Sequence, residues 1–223
     1  MRTQGDEASR ASAAVIVAHP DDEVLWAGGA ILSRPAWEWT IVTLCRRDDP
    51  DRAPRFRRVL ERLGAGGAMD DLDDGPDQTP LDERAVEESV QALVGDRRWD
   101  VVFTHSPFGE YTRHRRHEEV SRAVTALWTS GALRADELRL FAYEDGQRRY
   151  LPRAIEGAHE VVRLNQATWR AKRGLIQDLY GFASDSWEAR VTPRTEAFWR
   201  FATPGDYRTW LRSHQPHTPG GEK

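Results

Sequence analysis

The alternation of short apolar runs with longer helix-like segments constrains the fold of this chain more than any other feature. Runs rich in β-branched and aromatic residues predict strands, and they lie at 13–18, 37–44, 68–72, 99–104, 137–143 and 159–164. Segments with helical spacing of apolar residues lie at 22–32, 55–63, 80–94, 116–128 and 168–180. This order predicts an α/β fold of three layers, with a mostly parallel sheet between helices on both faces.

The composition suits a single folded domain. Of the 223 residues, 39% are hydrophobic and 30% are charged, so the chain can bury a sizeable core. We predict one domain over 13–215, with flexible tails at 1–12 and 216–223. The net charge of −4 gives no basic footprint, which argues against nucleic acid as a partner.

The sequence carries no feature of a secreted or membrane-embedded protein. No run approaches the roughly 18 consecutive apolar residues of a membrane span. The polar residues 1–12 contain no signal-peptide stretch. Cys45 is the only cysteine, so no intrachain disulfide can form. We therefore predict a cytoplasmic protein without a membrane span.

Two polar clusters follow predicted strands. The first, at 19–23, reads His-Pro-Asp-Asp-Glu, and the second, at 105–117, contains three histidines. Ligands of open parallel sheets bind beyond the carboxyl ends of the strands. The first and fourth strands are neighbours in the common doubly wound order, so we expect both clusters at one edge of the sheet.

The side chains of these clusters suit a metal ion. His19 and Asp22 are three residues apart, and they offer nitrogen and oxygen ligands of the kind that zinc accepts. One of His114 and His117 would complete a three-ligand site with a fourth position open for water. Asp21 would then lie where a general base belongs, and the remaining histidine would stabilise the oxyanion or protonate the leaving group.

Each cluster alone has an ordinary structural explanation. An Asp-Asp pair is typical of a helix cap, and two histidines three apart are typical of a solvated helix face. Their meeting at one sheet edge favours the metal site, because so many buried polar groups are costly without an ion. Other chemistries lack support: no Gly-rich phosphate loop follows the first strand, and Cys45 has the pattern of a small buried residue.

Two motifs resemble those of the LmbE-like, or PIG-L, zinc deacetylases. The first is the Ala-His-Pro-Asp-Asp-Glu of 18–23, and the second is the Gly-Glu-Tyr-Thr-Arg-His-Arg-Arg-His of 109–117. The resemblance extends over about 13–164. It implies a Rossmann-like fold and hydrolysis of N-acyl groups, often acetyl from N-acetylglucosamine units. The implied partner is a small-molecule amino-sugar substrate, with homo-oligomer formation left open.

The resemblance also implies roles for individual residues. His19, Asp22 and His117 resemble the zinc ligands, although the same ligands serve iron(II) as the alternative ion. Asp21 resembles the general base. His114 is similar to the histidine that binds the oxyanion and passes a proton to the amine.

Three further residues are implied in catalysis or substrate binding. Tyr111 resembles a mobile loop tyrosine that supports the oxyanion. An arginine after the second strand contacts substrate in the family, and either Arg52 or Arg55 could match it.

The chain departs from the family pattern at three places. Arg116 stands where an aspartate normally precedes the last histidine, and a cation there would favour the neutral form of His114. The spacing from Tyr111 to His114 is one residue longer than in the pattern. The loop at 45–50 replaces a Thr-x-Gly turn, which predicts a different substrate pocket.

Taken with the resemblance, these residues predict a zinc-dependent hydrolase that removes an N-acetyl or other N-acyl group from an amino-sugar conjugate. A metallophosphoesterase is one alternative, since His and Asp clusters also serve two-metal phosphate chemistry. A non-catalytic sugar-binding protein with a degenerate site is the other. The aromatic residues near the C-terminus either stack on a sugar or pack that segment onto the core; they are Trp187, Trp199, Tyr207 and Trp210.

Overall fold

The computed structural model describes residues 10–111 and 114–214. Within these ranges the strands alternate with helices for the first two thirds of the chain, as the apolar runs predicted. The strands are β1 (Ser12–Val17), β2 (Glu38–Thr43), β3 (Gly66–Met69), β4 (Arg98–Thr104), β5 (Arg134–Phe141), β6 (Tyr143–Glu144), β7 (Arg153–Ala154), β8 (Glu160–Arg163) and β9 (Thr195–Phe201).

The helices follow the strands in the order expected of repeated βαβ units. They are α1 (Asp22–Leu32), α2 (Arg52–Leu63), α3 (Glu83–Val94), α4 (Arg115–Ser130), α5 (Gln166–Gly174), α6 (Trp187–Val191) and α7 (Pro204–His214). A π-helical turn, Leu175–Leu179, continues directly from α5. Such turns occur frequently at functional sites.

One seven-stranded sheet runs through the molecule in the order β3–β2–β1–β4–β5–β9–β8. The first five strands in this order, β3, β2, β1, β4 and β5, are parallel, whereas β9 is antiparallel to both β5 and β8. At the centre Val15 lies opposite Ile41 on one side and Phe103 on the other. All three are fully buried, which explains why these strands are continuous apolar runs rather than alternating ones.

Helices cover both faces of the sheet and confirm the predicted three-layer α/β fold. On one face α1, α2 and the π-helical turn contribute Val24, Phe56 and Ile176 to a buried cluster. On the opposite face α3, α4 and α7 contribute apolar residues that include Val90 and Trp210. Because β1 and β4 are neighbours, the turns that follow them meet at one edge of the sheet, and the site forms there.

The structure differs from the sequence expectations at several element boundaries. Helix α2 begins at Arg52, three residues before the expected start, because Pro54 is tolerated in the first turn of a helix. The C-terminal segment, which the sequence patterns did not place, forms α6, β9 and α7. Within it Trp199 and Trp210 are buried in the core, whereas Trp187 is 36% exposed.

The predicted tails at 1–12 and 216–223 lie mostly outside the described residues. Ser12 is described, and it begins β1 with its backbone N–H and hydroxyl donating to Asp100. Among the described residues no helix is both long and apolar enough to pass through a bilayer.

Candidate active site

The turn between β1 and α1 is held by its own side chains. The Asp22 carboxylate accepts hydrogen bonds from the His19 backbone N–H at 2.9 Å and from the Trp26 indole N–H at 3.1 Å. Neither aspartate caps the helix: the Asp22 acceptors are taken by these donors, and Asp21 makes no capping hydrogen bond. The indole bonds Asp22 Oδ1. Asp22 Oδ2, which accepts the His19 N–H, faces the histidines and lies 3.3 Å from His117 Nε2.

Asp21 has a strained backbone that two other residues support. Its φ of 119° lies in the region that favours glycine, a conformation that costs about 1–3 kcal/mol and persists where the surroundings impose it. The Asp21 N–H donates to Glu23 Oε2 at 3.0 Å. The Tyr180 hydroxyl, which follows the π-helical turn, donates to Glu23 Oε1 at 2.5 Å. Burial raises the pKa of Glu23 to about 7.

Three histidines converge above this turn. The ring centroids of His19 and His114 are 4.8 Å apart, and those of His114 and His117 are 4.5 Å apart. One nitrogen from each of the three lies within 4.8 Å of the others. Among the described residues, His117 Nε2 and His114 Nδ1 have no hydrogen-bond partner, and His19 Nε2 faces the Asp74 carboxylate at 3.2 Å. Buried nitrogens without partners, next to the Asp22 carboxylate, are the donor set that zinc accepts, so these residues fit a metal ion.

His105 also lies close to Asp22 and His117, but its nitrogens are already engaged. Its Nε2 accepts the Ala18 backbone N–H at 3.0 Å, so it has no lone pair to offer to an ion. The proton of the neutral ring is therefore on Nδ1, which lies 3.0 Å from the Glu110 carboxylate. This pairing makes His105 a structural histidine.

Charges around the site shift several pKa values. Burial raises the pKa of Asp21 well above its usual range, and the neighbouring Asp22 adds to the effect. Burial alone would lower the pKa of His117, but the Asp22 and Glu110 carboxylates outweigh it and raise the value to about 10. The same carboxylates that favour a proton on His117 would favour a divalent cation in its place.

His114 and Arg116 correct one expectation. The pKa of His114 is lowered to about 3, by burial first and then by His117 and His19. The predicted cause, Arg116, is engaged elsewhere: its buried guanidinium donates to the backbone carbonyls of Asp73 and Thr79. It also donates to Glu119 Oε2, and so it fastens the loop between β3 and α3 to helix α4.

The two arginines predicted to bind substrate lie in different places. Arg52 lines the cavity, with its Nη1 3.7 Å from Asp21 Oδ2 and its guanidinium over the Phe182 ring at 4.3 Å. Arg55 instead donates to Asp51 at 2.7 Å and packs against Gly181, so the structure does not bring it to the cavity.

Asp74 and Arg46 belong to the site although the motifs did not indicate them. Asp74 Oδ1 lies 3.2 Å from His19 Nε2, and Asp74 Oδ2 accepts a hydrogen bond from Arg46 Nε at 2.9 Å. Although burial opposes it, hydrogen bonds from His19, Gln78 and Arg46 hold the pKa of Asp74 below its usual range. Asp74 follows β3, and its position beyond the carboxyl end of a parallel strand was the available signal.

Glu110, another buried acid of the site, was also missed. Its side chain is fully buried, and its Oε2 lies 2.7 Å from His117 Nδ1 and 3.0 Å from His105 Nδ1. Its Oε1 accepts the Ser106 backbone N–H at 2.9 Å. Its place between Gly109 and the motif tyrosine gave no sequence signal by itself.

Two cavities meet above the site. The first, about 240 Å³, is lined by His19, Asp21, Asp22, Arg46, Arg52, Asp74 and His114 among others. The second, about 620 Å³, is lined by Asp145, Arg148, Tyr150, Leu151 and Pro152. Both are bordered by Tyr111, Trp187 and Glu188, and the rings of Tyr111 and Trp187 meet edge to face at 4.8 Å. The arrangement suits a ligand whose polar end lies beside the histidines and whose remainder extends past Trp187.

Comparisons with solved structures agree with the fold. The chain is similar to N,N'-diacetylchitobiose deacetylase from Pyrococcus horikoshii, with 15% identity over 93% of this chain and 88% of that one, and a TM-score of 0.65. It is also similar to the A40926 pseudoaglycone deacetylase Dbv21, with 16% identity over 87% and 98% of the two chains and a TM-score of 0.56. A hydratase shares the fold as well: the 4-carboxy-2-hydroxymuconate hydratase GalB from Pseudomonas putida has 16% identity over 82% of both chains and a TM-score of 0.57.

Sequence comparison gives the family. An uncharacterised protein, L374 of Acanthamoeba polyphaga mimivirus, is 21% identical over 135 residues, which are 54% of this chain and 60% of that relative. The match thus spans less than two thirds of the relative's length. The model of the PIG-L family, described as GlcNAc-PI de-N-acetylase, matches residues 14–128, which include both histidine-bearing motifs. The chain therefore belongs to the PIG-L family.

Proposed function

We propose that the protein is a zinc-dependent hydrolase that removes an N-acetyl group, or another N-acyl group, from an amino-sugar conjugate. One observation carries the proposal: His19 Nδ1 and His117 Nε2 each lie 3.3 Å from the Asp22 carboxylate, directly beside a second acid, Asp21. Membership of a family described as a de-N-acetylase supports it, and so do the deacetylases among the structural neighbours.

His19, Asp22 and His117 would hold the ion. Zinc bound there would supply a Lewis acid for the acyl carbonyl and would lower the pKa of the attacking water. His19 and Asp22 line the cavity of about 240 Å³, where a substrate would enter.

Asp21 and His114 are placed to move protons and to bind developing charge. The raised pKa of Asp21 means that its carboxylate binds a proton more readily. This suits a group that takes a proton from water and returns it to the leaving amine. His114 remains neutral because its pKa is lowered, so it can donate a single N–H to the oxyanion of the tetrahedral intermediate. Burial raises the pKa of Tyr111 above its usual range, which keeps its hydroxyl protonated as a second donor.

The polar lining of the first cavity suits a sugar ring. The paired Asp74 and Arg46 offer an acceptor and donors to vicinal hydroxyl groups, and Arg52 adds a second guanidinium to the lining. The second cavity, beyond Tyr111 and Trp187, would hold the rest of the conjugate. These sizes and linings favour a conjugate over a free monosaccharide.

The alternatives are less well supported. Two-metal phosphate chemistry needs a second set of ligands, and within the described residues His105, the nearest additional histidine, has its lone pair occupied by Ala18. A degenerate binding site would be expected to lack the ligands or the base, and this chain retains both. Cys45 does not offer nucleophilic catalysis, because burial raises the pKa of its thiol to about 12.

The experiment is a measurement of free-amine release. The purified protein, loaded with zinc, is incubated with N-acetylglucosaminyl-phosphatidylinositol, N,N'-diacetylchitobiose and phenyl and methyl glycosides of N-acetylglucosamine. We expect fluorescamine-reactive amine and an equal amount of acetate from at least one compound, and loss of both after chelation. Absence of amine from every compound at full zinc occupancy would contradict the proposal, and phosphate release from a phosphoester panel would favour the phosphoesterase.

A further inference from the structure

Glu110 links the two halves of the candidate metal site through a chain of hydrogen bonds. Ala18 directly follows β1 and precedes His19, and its N–H donates to His105 Nε2. His105 in turn contacts Glu110, and Glu110 contacts His117 on helix α4. The chain therefore connects the turn that carries His19 with the helix that carries His117.

The bonds in this chain fix which nitrogen of each histidine carries the proton. Since His105 Nε2 accepts the Ala18 N–H, the His105 proton is on Nδ1 and is donated to Glu110 Oε2. The same carboxylate oxygen lies 2.7 Å from His117 Nδ1. A carboxylate is an acceptor only, so His117 Nδ1 must carry a proton as well.

The consequence for His117 is a defined ligand atom. With Nδ1 donating to Glu110, the lone pair of neutral His117 is on Nε2, which lies 3.3 Å from Asp22 Oδ2 and has no hydrogen-bond partner within the described part of the chain. Histidines that bind metals are commonly oriented in this way by a carboxylate on the other ring nitrogen. Full burial of Glu110 excludes water that would otherwise compete for these bonds.

We infer that Glu110 is a positioning residue of the metal site, which sets the tautomer and ring orientation of His117 and locks that histidine to the end of β1 through His105. The inference rests on the metal centre of the proposed function, but it concerns metal binding rather than the reaction catalysed. It assigns a role to a buried acid to which the family resemblance gave none.

Glu110→Gln tests the inference by metal affinity. Both histidines contact Oε2 and the Ser106 N–H contacts Oε1, so the glutamine NH₂ group would face either the Ser106 N–H or the N–H groups of both histidines. We expect zinc binding about 10- to 100-fold weaker, measured by competition with a chromophoric chelator, and a changed visible spectrum of the cobalt(II)-loaded protein. Glu110→Asp keeps the charge on a shorter side chain and should recover part of the affinity.

Glu119→Gln is the matched control. Glu119 is also a buried glutamate, but its carboxylate contacts Arg116 rather than a histidine, so the zinc affinity should stay within about twofold of the parent protein. Equal zinc affinity of Glu110→Gln and the parent protein would overturn the inference. Should the parent protein bind zinc but release no amine, the proposed function would fail while the role of Glu110 would still be decided by these affinities.

A measurement on the unsubstituted protein covers the case in which Glu110→Gln does not fold. Long-range ¹H–¹⁵N spectra of the histidine rings report which nitrogen is protonated. We expect Nδ1–H for both His105 and His117, and a shift of the His117 Nε2 resonance when zinc is added. An Nε2–H tautomer of His117, or coordination through Nδ1, would refute the inference.

Discussion

The turn after β1 and the loop after β4 build the same site in different ways. In the turn, ligand and support are local: Asp22 is held by the His19 N–H and the Trp26 indole, all within eight residues of the chain. In the segment from His105 to His117, Glu110 contacts both histidines from within the segment, and further support comes from a distance, through Ala18 on one side and the loop after β3 on the other.

Positions 110 and 116 show how charged residues are arranged around His117. The family pattern has an acid directly before the last histidine, and this chain has Arg116 there. The acid next to His117 is Glu110 instead, seven residues earlier, and it contacts His117 at 2.7 Å. Arg116 is thereby available to fasten the loop that carries Asp74. The two regions together predict that substitutions in the turn abolish chemistry, whereas substitutions in the loop and its partners reduce affinity or stability.

The largest effect is expected from the turn itself. His19→Ala removes a ligand nitrogen and leaves the Asp22 and Asp74 carboxylates without the imidazole between them. We expect zinc content to fall from about one ion per chain to near zero and amine release to fall to background. Inductively coupled plasma mass spectrometry and the fluorescamine assay measure the two quantities. Retention of zinc by this variant would show that the turn is not the dominant half of the site.

Asp21→Asn separates metal binding from catalysis within the same turn. The amide occupies the same space but cannot accept a proton, so kcat should fall about 10²- to 10⁴-fold with zinc content unchanged. Asp48→Asn is the control, because Asp48 is 71% exposed on the loop before α2 and should leave kcat unchanged. Equal loss of zinc in Asp21→Asn and His19→Ala would contradict the division of roles between base and ligand.

Arg116→Met examines the distant support of the loop. The substitution leaves the buried Glu119 without its charged partner, so we expect the free energy of unfolding to fall by about 3–5 kcal/mol. Urea denaturation gives this value, and Arg84→Met, at an arginine whose side chain is 85% exposed, should change it by less than about 0.5 kcal/mol. Adding Glu119→Leu to Arg116→Met should recover part of the stability, since both charges are then absent. A stability equal to that of the parent protein would mean that Arg116 does not hold the loop.

The smallest effect is expected at the outer end of the cleft. Trp187→Ala removes an exposed aromatic face worth about 0.5–1.5 kcal/mol in stacking, so kcat/KM for the phenyl glycoside should fall about two- to tenfold. The value for the methyl glycoside should stay nearly constant. Phe108→Ala removes a comparably exposed ring that does not line this cleft and should affect neither substrate. The same loss for both glycosides would argue against a role of Trp187 in binding the conjugate.

Much of the fold was predictable because it depends on local patterns. Buried parallel strands are continuous apolar runs, and the order of β1 and β4 places both clusters at one edge. The segment after residue 181 was not predictable, because β9 enters the sheet antiparallel between β5 and β8, and nothing in its sequence specifies those neighbours. Its short helix α6 has too few residues to show a period.

The site was predictable where the chemistry is written in a contiguous motif. His19, Asp21 and Asp22 are adjacent in sequence and also in space. Asp74 and Glu110 act through contacts that depend on the tertiary arrangement, and neither local composition nor spacing distinguishes them from solvated acids. Arg116 was misjudged for the same reason. Its charge suggested an effect on His114, but its guanidinium is held by backbone carbonyl groups about forty residues away in sequence.

The hydrogen bond from Tyr180 to Glu23 makes the candidate metal site, whose residues lie before helix α5, dependent on the C-terminal part of the chain. Tyr180 lies well beyond residue 128, where the family match ends, yet its hydroxyl braces the glutamate that keeps Asp21 twisted. A fragment that ended after helix α4 would contain all the proposed metal ligands but would lack the Tyr180 hydroxyl, which supports Glu23 and through it Asp21. We therefore expect that chimeras with the C-terminal segment of a relative need a hydroxyl group at the position of Tyr180. Without it, they should still bind zinc but should catalyse the reaction more slowly.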